Sequence, residues 1–310
     1  RRIAGHLGAQ DQGVGEKAQQ RRQLGPLAAG GDDADDNILL LDVAVEQPLE
    51  RRQEGDEQRR ALLVAKAPQA PRLLTQAAIL KVTANGYDFK PAHAAMQRYV
   101  DANLLSGISS AVLVGRDVVD VNCVGWADKE AEIPLRADHI FRIFSNTKLF
   151  TSLAALLLFE EGRFELDDPI EKFIPQLANR RVLRLGAESL DDTEPANGSI
   201  KIRHLLSHSS GLSYGIFDPG TPIFNAYTER KVLNPLTTLA DMVDVLADLP
   251  LVNHPGTAFE YSVSIDVMAR LVEIVSGQPF DRFVQARILD PLGMVDTGWV
   301  VPEKDRDRFV

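Results

Sequence analysis

The sequence predicts an α+β fold in which a β-hairpin is followed by a mostly helical region. Two β-branched runs, Ala111 to Val114 and Val118 to Val124, are joined by Gly115-Arg116-Asp117, a pattern typical of a hairpin. The stretches after the hairpin have apolar residues at helical spacing. Because the strands come first and the helices follow as a group, this order favours α+β over alternating βαβ units.

The predicted helices carry recognisable start and stop signals. A strongly apolar helix over Phe150 to Glu161 is closed by Gly162, a residue common at helix C-termini. Asp168-Pro169-Ile170-Glu171 is typical of a helix start, with a cap residue followed by proline. Further helices are predicted at Ala94 to Leu105, Leu236 to Leu249, Ile265 to Ser276 and Pro279 to about Leu289.

Composition and charge exclude several classes of protein. The chain has 310 residues and a formal net charge of −10, which argues against a nucleic-acid partner. No apolar run approaches the length of a membrane span. The single cysteine, Cys123, excludes an intrachain disulfide framework. The first residues lack the apolar core of a secretory signal, so a cytoplasmic location is the default expectation.

The chain changes character near residue 86. The first aromatic residue is Tyr87 and the first methionine is Met96, whereas residues 1–86 carry 12 Lys or Arg against 12 Asp or Glu. A segment without aromatic side chains buries little apolar area. We therefore expect residues 1–86 to be poorly ordered, or not native to the domain that follows, and residues 87–310 to form that domain.

Ser145 and Lys148 form the first candidate catalytic pair. On a helix, residues three apart lie on one face. A serine hydroxyl becomes a good nucleophile only when a base takes its proton, and a lysine can do so only when it is neutral. Burial and the positive end of the helix would both lower the lysine pKa. Ser-x-x-Lys alone also fits a helix cap beside a solvated lysine, but apolar neighbours such as Leu149 and Leu153 argue against free solvation.

Three blocks of sequence resemble the serine beta-lactamase-like family, which includes class C beta-lactamases, DD-peptidases and family VIII carboxylesterases. The resemblance covers about residues 88–310, and its blocks are Phe141 to Lys148, Glu160 to Pro169 and His204 to Leu212. It implies a beta-lactamase-like fold, with an antiparallel sheet flanked by helices plus a mostly helical region. It implies no metal and no organic cofactor.

The resemblance extends to a second catalytic motif at Pro255 to Val263. It implies that Tyr261 shares protons with Ser145 and Lys148. Either a neutral Lys148 is the base, or a cationic Lys148 lowers the phenol pKa and Tyr261 is the base, and the residues leave both schemes open. Class C beta-lactamases have Asn where this chain has Val263, and the loss of that amide favours simple esters.

The family's third motif, Lys-Thr-Gly, His-x-Gly or Trp-x-Gly, does not follow Tyr261 in this sequence. In the family it supplies the second backbone donor of the oxyanion hole, alongside the N–H of Ser145. We therefore expect a domain that is incomplete at its C-terminal side, either as a fragment or completed by another segment. The missing motif puts catalytic activity in doubt.

The sequence thus predicts a serine hydrolase that cleaves small carboxylic esters through an acyl-enzyme on Ser145. The alternatives are a class C-type beta-lactamase or DD-peptidase, and a catalytically silent truncated chain. The expected partner is a small ester or beta-lactam, and the residues give no oligomeric state. His204 and His208 have the spacing of a helical metal pair, but the Ser207 to Gly211 stretch breaks the helix, so we do not predict a metal site.

Overall fold

The fold is described for residues 86–310 in a computed structural model. All of these residues belong to the unit Arg59–Val310. The predictions made for the segment before residue 86 lie outside the described residues. Within residues 86–310, no helix has both the length and the apolar character needed to cross a membrane.

The predicted hairpin forms the first sheet. Strands β1 (Gly107–Val114) and β2 (Asp117–Asp128) pair antiparallel, from Gly107 opposite Gly125 to Val114 opposite Asp117. A short strand, β3 (Ile133–Pro134), pairs with the far end of β2 to give the order β1-β2-β3. The turn lies where the glycine predicted it, and Gly115 takes the left-handed conformation that a tight hairpin turn requires.

One helix precedes the sheet and the others follow it. They are α1 (Lys90–Asp101), α2 (Thr147–Glu160), α3 (Ile202–Leu206), α4 (Pro222–Glu229), α5 (Leu239–Ala247), α6 (Ser264–Ser276), α7 (Phe280–Val284) and α8 (Asp290–Leu292). Helices α1, α2, α5, α6 and α7 lie in predicted segments, with shifts of a few residues at their ends, whereas α3, α4 and α8 were not predicted. Single turns of 3₁₀ helix occupy Phe144–Asn146, Ile170–Lys172 and Pro175–Leu177, a longer 3₁₀ helix occupies Glu303–Arg308, and a π turn occupies Gln285–Leu289. The helix start predicted at Asp168 is therefore one 3₁₀ turn.

Helix α6 is the centre of the core. It packs against α2, α3, α5 and α7, and it buries a near-continuous set of side chains, among them Val267, Met268, Leu271 and Val272. The helix ends at Gly277, which has φ 71° and closes it in the left-handed conformation. Because both α2 and α6 begin at candidate catalytic residues, their packing determines where those residues meet.

A second, two-stranded sheet was not predicted. Strands β4 (Arg181–Leu183) and β5 (Thr193–Pro195) pair antiparallel, and Val182 also bridges in parallel to Leu251. Leu251 is fully buried and lies just after α5. The bridge holds the segment that leads to the Pro255-Gly256 turn against the rest of the domain.

Gly211 lies where two segments of the candidate site meet. Its carbonyl accepts the N–H of Val252 at 2.8 Å, and its φ is 84°. A Cβ at this position would lie 2.0 Å from the carbonyl oxygen of Asn253. Both the backbone conformation and the close approach therefore require glycine.

We expect Gly211→Ala to lower the free energy of unfolding by at least about 1–3 kcal/mol, the usual cost of overpacking. A side chain at positive φ adds strain to that cost. Urea denaturation measures the change. Gly198→Ala is the matched control, because nothing lies within 4 Å of a Cβ at Gly198. Equal stability of the two variants would contradict this account of Gly211.

Candidate active site

Ser145 lies in an exposed turn at the start of α2. It is the middle residue of the 3₁₀ turn Phe144–Asn146, which leads directly into the helix at Thr147. Phe144, the residue before it, has φ 41°, a conformation that is uncommon and strained for a bulky L residue. This strained turn leaves the Ser145 side chain accessible from solvent.

Tyr261 brings the second predicted motif to Ser145. Its hydroxyl donates a hydrogen bond to Ser145 Oγ at 2.8 Å, across 116 residues of sequence. Tyr261 follows the Pro255-Gly256 turn and precedes α6, so the packing of α6 on α2 delivers it to the start of α2. The structure thus brings together two of the three predicted catalytic residues in direct contact.

Lys148 lies in the first turn of α2 beside two tyrosines. Its Nζ donates to the hydroxyl of Tyr214 at 3.4 Å, and it lies 5.1 Å from the ring centroid of Tyr261 and 5.2 Å from that of Tyr214. These distances are in the range of cation–π contacts. Among the described residues, the side-chain partner of Ser145 is Tyr261, and no hydrogen bond joins Ser145 to Lys148.

The apolar neighbours predicted to shield Lys148 do not do so. Leu149 is 69% exposed and Leu153 is 41% exposed, because both point away from the face of α2 that carries the lysine. The aromatic rings of Tyr214 and Tyr261 provide the shielding instead. The expectation that Lys148 is not freely solvated holds, but for a different reason.

The surroundings of Lys148 favour its charged form. Burial alone would lower the lysine pKa, but the phenols of Tyr261 and Tyr214 and the charge of Asp266 outweigh it, so the pKa of Lys148 is raised. This direction is opposite to the lowered pKa that a neutral Lys148 would need. Burial raises the pKa of the Asp266 carboxyl, and the charge of Lys148 offsets part of this rise. The Oδ2 atom of this carboxyl has no hydrogen-bond partner among residues 86–310.

The surroundings of Tyr261 lower the pKa of its phenol, whereas those of Lys148 raise the pKa of the lysine. The hydrogen bond with Ser145 lowers the pKa of Tyr261, burial opposes this, and the nearby Lys148 lowers the pKa further. The net pKa lies below the ordinary value of 10.0. Of the two protonation schemes that the residues left open, the electrostatics favour a cationic Lys148 beside an acidic phenol.

Aromatic residues from one further segment complete the site, and the sequence did not single out their roles. The ring of Tyr261 stacks on Tyr214 at 5.5 Å between centroids and on His208 at 4.8 Å, and Phe217 meets its edge at 6.1 Å. His208 belongs to the third family-like block, and Tyr214 and Phe217 follow that block closely. In the sequence, the only indication that Tyr214 and Phe217 belong to the site is that they follow this block closely.

Val263, at the position that separates the sequence from class C beta-lactamases, is fully buried in the core, so it offers no polar group to a substrate.

The two histidines with metal-pair spacing each bind a backbone amide. The Nδ1 atom of His204 accepts the N–H of Lys201 at 3.2 Å, and the Nδ1 atom of His208 accepts the N–H of Ser262 at 3.1 Å. Residues 86–310 contain no cluster of three His, Cys, Asp or Glu side chains able to hold a metal ion.

The family model described as Beta-lactamase matches residues 92–310. The chain belongs to the serine beta-lactamase-like family. The family assignment and the α+β fold predicted from the three blocks are confirmed, and the family contains both esterases and acyltransferases.

Relatives extend the comparison. Protein Rv1367c of Mycobacterium tuberculosis is 40% identical over 67% of this chain and 51% of its own length. Esterase EstB of Burkholderia gladioli is 34% identical over 59% of this chain and 44% of its own length. Among solved structures, EstCE1, a hydrolase with promiscuous acyltransferase activity, superposes with a TM-score of 0.62 at 28% identity, covering 71% of this chain and 55% of EstCE1. The chain spans about half the length of the curated relatives it matches.

Replacing Lys148 by methionine tests the electrostatic description of the site. We expect the phenol pKa of Tyr261 to rise toward its ordinary value in Lys148→Met, because the cation that favours the phenolate is removed. Titration of ¹³Cζ-labelled tyrosine by NMR, with Tyr261→Phe to assign the signal, measures this.

Lys172→Met is the matched control. Lys172 also lies 5.1 Å from an aromatic centroid, that of Phe173, but it ends the 3₁₀ turn Ile170–Lys172 and forms an ion pair with Asp168, which precedes that turn. The Tyr261 titration should be unchanged in this variant. A phenol pKa that is the same in Lys148→Met and in the parent protein would refute the role given to the lysine charge.

Proposed function

We propose that the chain is a serine hydrolase domain that cleaves small carboxylic esters through an acyl-enzyme on Ser145. The observation that carries this proposal is the 2.8 Å hydrogen bond between Tyr261 and the accessible Ser145, with Lys148 beside the phenol. A nucleophile, a group able to accept its proton and a fixed positive charge are the parts that acyl transfer to a serine needs.

Tyr261 is the base in this proposal. In its ionised form the phenolate accepts the proton of the Ser145 hydroxyl as Oγ attacks the ester carbonyl carbon. The tetrahedral intermediate then collapses, the bond to the alcohol oxygen breaks, and the proton passes from Tyr261 to the departing alcohol. Water repeats the sequence on the acyl-enzyme: Tyr261 takes a proton from the water, the acid is released, and the proton returns to Ser145.

Lys148 remains charged throughout these steps. An ammonium ion beside the two phenols stabilises negative charge on Tyr261 without exchanging a proton itself. The backbone N–H of Ser145 is the donor that we assign to the oxyanion. One such donor typically contributes about 2.7–4 kcal/mol to lowering the barrier.

An ester is the preferred substrate class because the site offers few groups for a peptide or a lactam amide. Val263 lies in the core, in the position where class C enzymes have an amide side chain. The exposed rings nearest Tyr261 and its neighbour His208, Phe217 and Phe259, are apolar. Rings of this kind can pack against the hydrocarbon part of an ester.

Acyl transfer to an alcohol is a second candidate. The solved structure of EstCE1 is described as that of a hydrolase with promiscuous acyltransferase activity. The same acyl-enzyme serves both reactions, since an alcohol oxygen can attack it in place of water. The ester product formed in the presence of a primary alcohol, measured against the acid product, separates the two.

Labelling by a fluorophosphonate probe tests the nucleophile and its base. We expect Ser145 to be labelled, Ser145→Ala to abolish labelling, and Tyr261→Phe and Lys148→Ala each to slow it by roughly 10²–10⁴-fold. Because Tyr261 acts as the phenolate, the rate should rise with pH and level off once the pH passes the lowered phenol pKa. Mass spectrometry of the labelled peptide locates the probe.

Ser207→Ala is the control, since Ser207 is an exposed serine whose hydroxyl bonds to Ser209 and to the carbonyl of Arg203. It should label at the parental rate. A folded parent protein that never labels at Ser145 would support the catalytically silent alternative, and unchanged labelling of Lys148→Ala would contradict the role of the lysine.

Paired assays distinguish the ester from the lactam. We expect kcat/KM for short-chain p-nitrophenyl esters to exceed that for nitrocefin, because the site lacks the amide side chain that recognises a lactam. The missing polar contact corresponds to about 1–3 kcal/mol, or about 5- to 150-fold. Faster turnover of nitrocefin would favour a class C-type beta-lactamase or DD-peptidase.

A further inference from the structure

His208 makes hydrogen bonds on both sides of Tyr261. Its carbonyl accepts the N–H of Glu260 at 2.7 Å, and its imidazole Nδ1 accepts the N–H of Ser262 at 3.1 Å. One residue thus holds the two backbone amides that flank the tyrosine. Because backbone amides move with the chain, these bonds fix the position from which the Tyr261 side chain leaves it.

The ring of His208 also fixes the orientation of the phenol. It stacks on Tyr261 at 4.8 Å between centroids with 28° between planes, while Tyr214 stacks at 5.5 Å and 20°. These separations are typical of offset-stacked aromatic pairs. A stacked ring restricts the Tyr261 side chain, which must hold its hydroxyl within hydrogen-bond reach of Ser145.

His208 is itself held in place from several directions. It has φ 51°, in the left-handed region just after α3, and its N–H donates to the carbonyl of Leu205. Behind the imidazole, the hydroxyls of Ser262, Ser264 and Ser210 form a buried chain with 2.7 Å between successive oxygens. The support is therefore rigid on the side away from the site.

We propose that His208 is a positioning residue for Tyr261, and that it acts through a neutral imidazole whose Nδ1 accepts the N–H of Ser262. This inference rests on the proposed function, in which Tyr261 is the base, and it adds the residue that places this base. It also assigns a role to a residue of the third family-like block, His204 to Leu212, for which the sequence pattern indicated none.

The neutral form is essential to this role. If Nδ1 were protonated, it would face the N–H of Ser262 as a second donor, and the bond would be lost. Burial lowers the pKa of His208, and the charge of Lys148 on α2 lowers it further. Around the imidazole, Tyr261 stacks on the ring and Phe259 meets the ring edge-on, whereas Glu260 contacts the backbone carbonyl of His208 through its own N–H.

The sign of the pH effect follows from the lowered pKa. The neutral imidazole is favoured in the folded protein, so its contribution to stability is complete above the ordinary histidine pKa of about 6.5. That contribution is lost as the pH falls through the lowered pKa of the folded state. The placement of Tyr261 should be lost over the same pH range.

His208→Asn and His204→Asn form the test pair. Asparagine tolerates the left-handed conformation and keeps a hydrogen-bond acceptor at residue 208, but it removes the stacked ring. His204 is matched in chemistry, because its Nδ1 also accepts a backbone N–H and burial also lowers its pKa. Its ring lies against Gly256 and makes no stacking contact with Tyr261 among the described residues.

Two readouts are measured on both variants, with thermal denaturation as the check on folding. In His208→Asn we expect the phenol pKa of Tyr261, followed by ¹³Cζ NMR, to move toward its ordinary value. We also expect the labelling of Ser145 to slow by roughly 10- to 100-fold, in keeping with the cost of a misplaced catalytic group. His204→Asn should retain the parental phenol pKa and labelling rate.

A parental Tyr261 titration in folded His208→Asn would overturn the proposal, as would an equal change in His204→Asn. The NMR readout needs no catalysis, so an unlabelled Ser145 would refute the proposed function without deciding the role of His208. If His208→Asn does not fold, the proposal is tested by a pH titration of the parent protein. In that titration, the ¹³Cζ signal of Tyr261 should shift as His208 is protonated. A Tyr261 signal that does not respond to this protonation would equally refute the positioning role.

Discussion

The hydrogen bond between Tyr261 and Ser145 is the contact on which the rest of the site depends. It joins the start of α2 to the start of α6, and these two helices pack side by side through the core. Because both candidate catalytic groups lie just before the starts of these helices, the packing that stabilises the domain also sets the distance between them. A shift of either helix would separate nucleophile and base even if every side chain kept its chemistry.

The charge of Lys148 determines which groups at the Tyr261–Ser145 contact can exchange a proton. A lysine between two phenols, with a buried carboxyl nearby, has more to gain from remaining an ammonium ion than from giving up its proton. The same charge makes the phenol of Tyr261 more acidic. In the mechanism that we propose, the Ser-x-x-Lys spacing therefore places a fixed positive charge beside the base, and the proton travels between two oxygen atoms.

The sequence predicted the parts of this structure that local pattern determines. The β1–β2 hairpin, the apolar helix after Ser145 and the helix after Tyr261 follow from glycine turns and helical periodicity. The β4–β5 sheet could not be predicted, since its place depends on a bridge to Leu251, almost 70 residues away from Val182. The direction of the Lys148 pKa shift could not be decided from the sequence for the same reason: Tyr214 and Asp266, which raise this pKa, come from distant segments.

The segment from His208 to Phe217 shows why such residues escape a motif search. A helix end and a glycine turn explain its sequence locally, and Gly211 is required by the approach of Asn253 alone. Yet the same segment brings both His208 and Tyr214 against the ring of Tyr261, and the hydroxyl of Tyr214 also accepts a hydrogen bond from Lys148. A backbone that is rigid for packing reasons is also the best support for a base that has to stay within hydrogen-bond distance of its serine. If Tyr261 is the base as proposed, structural and functional constraints act on the same residues here.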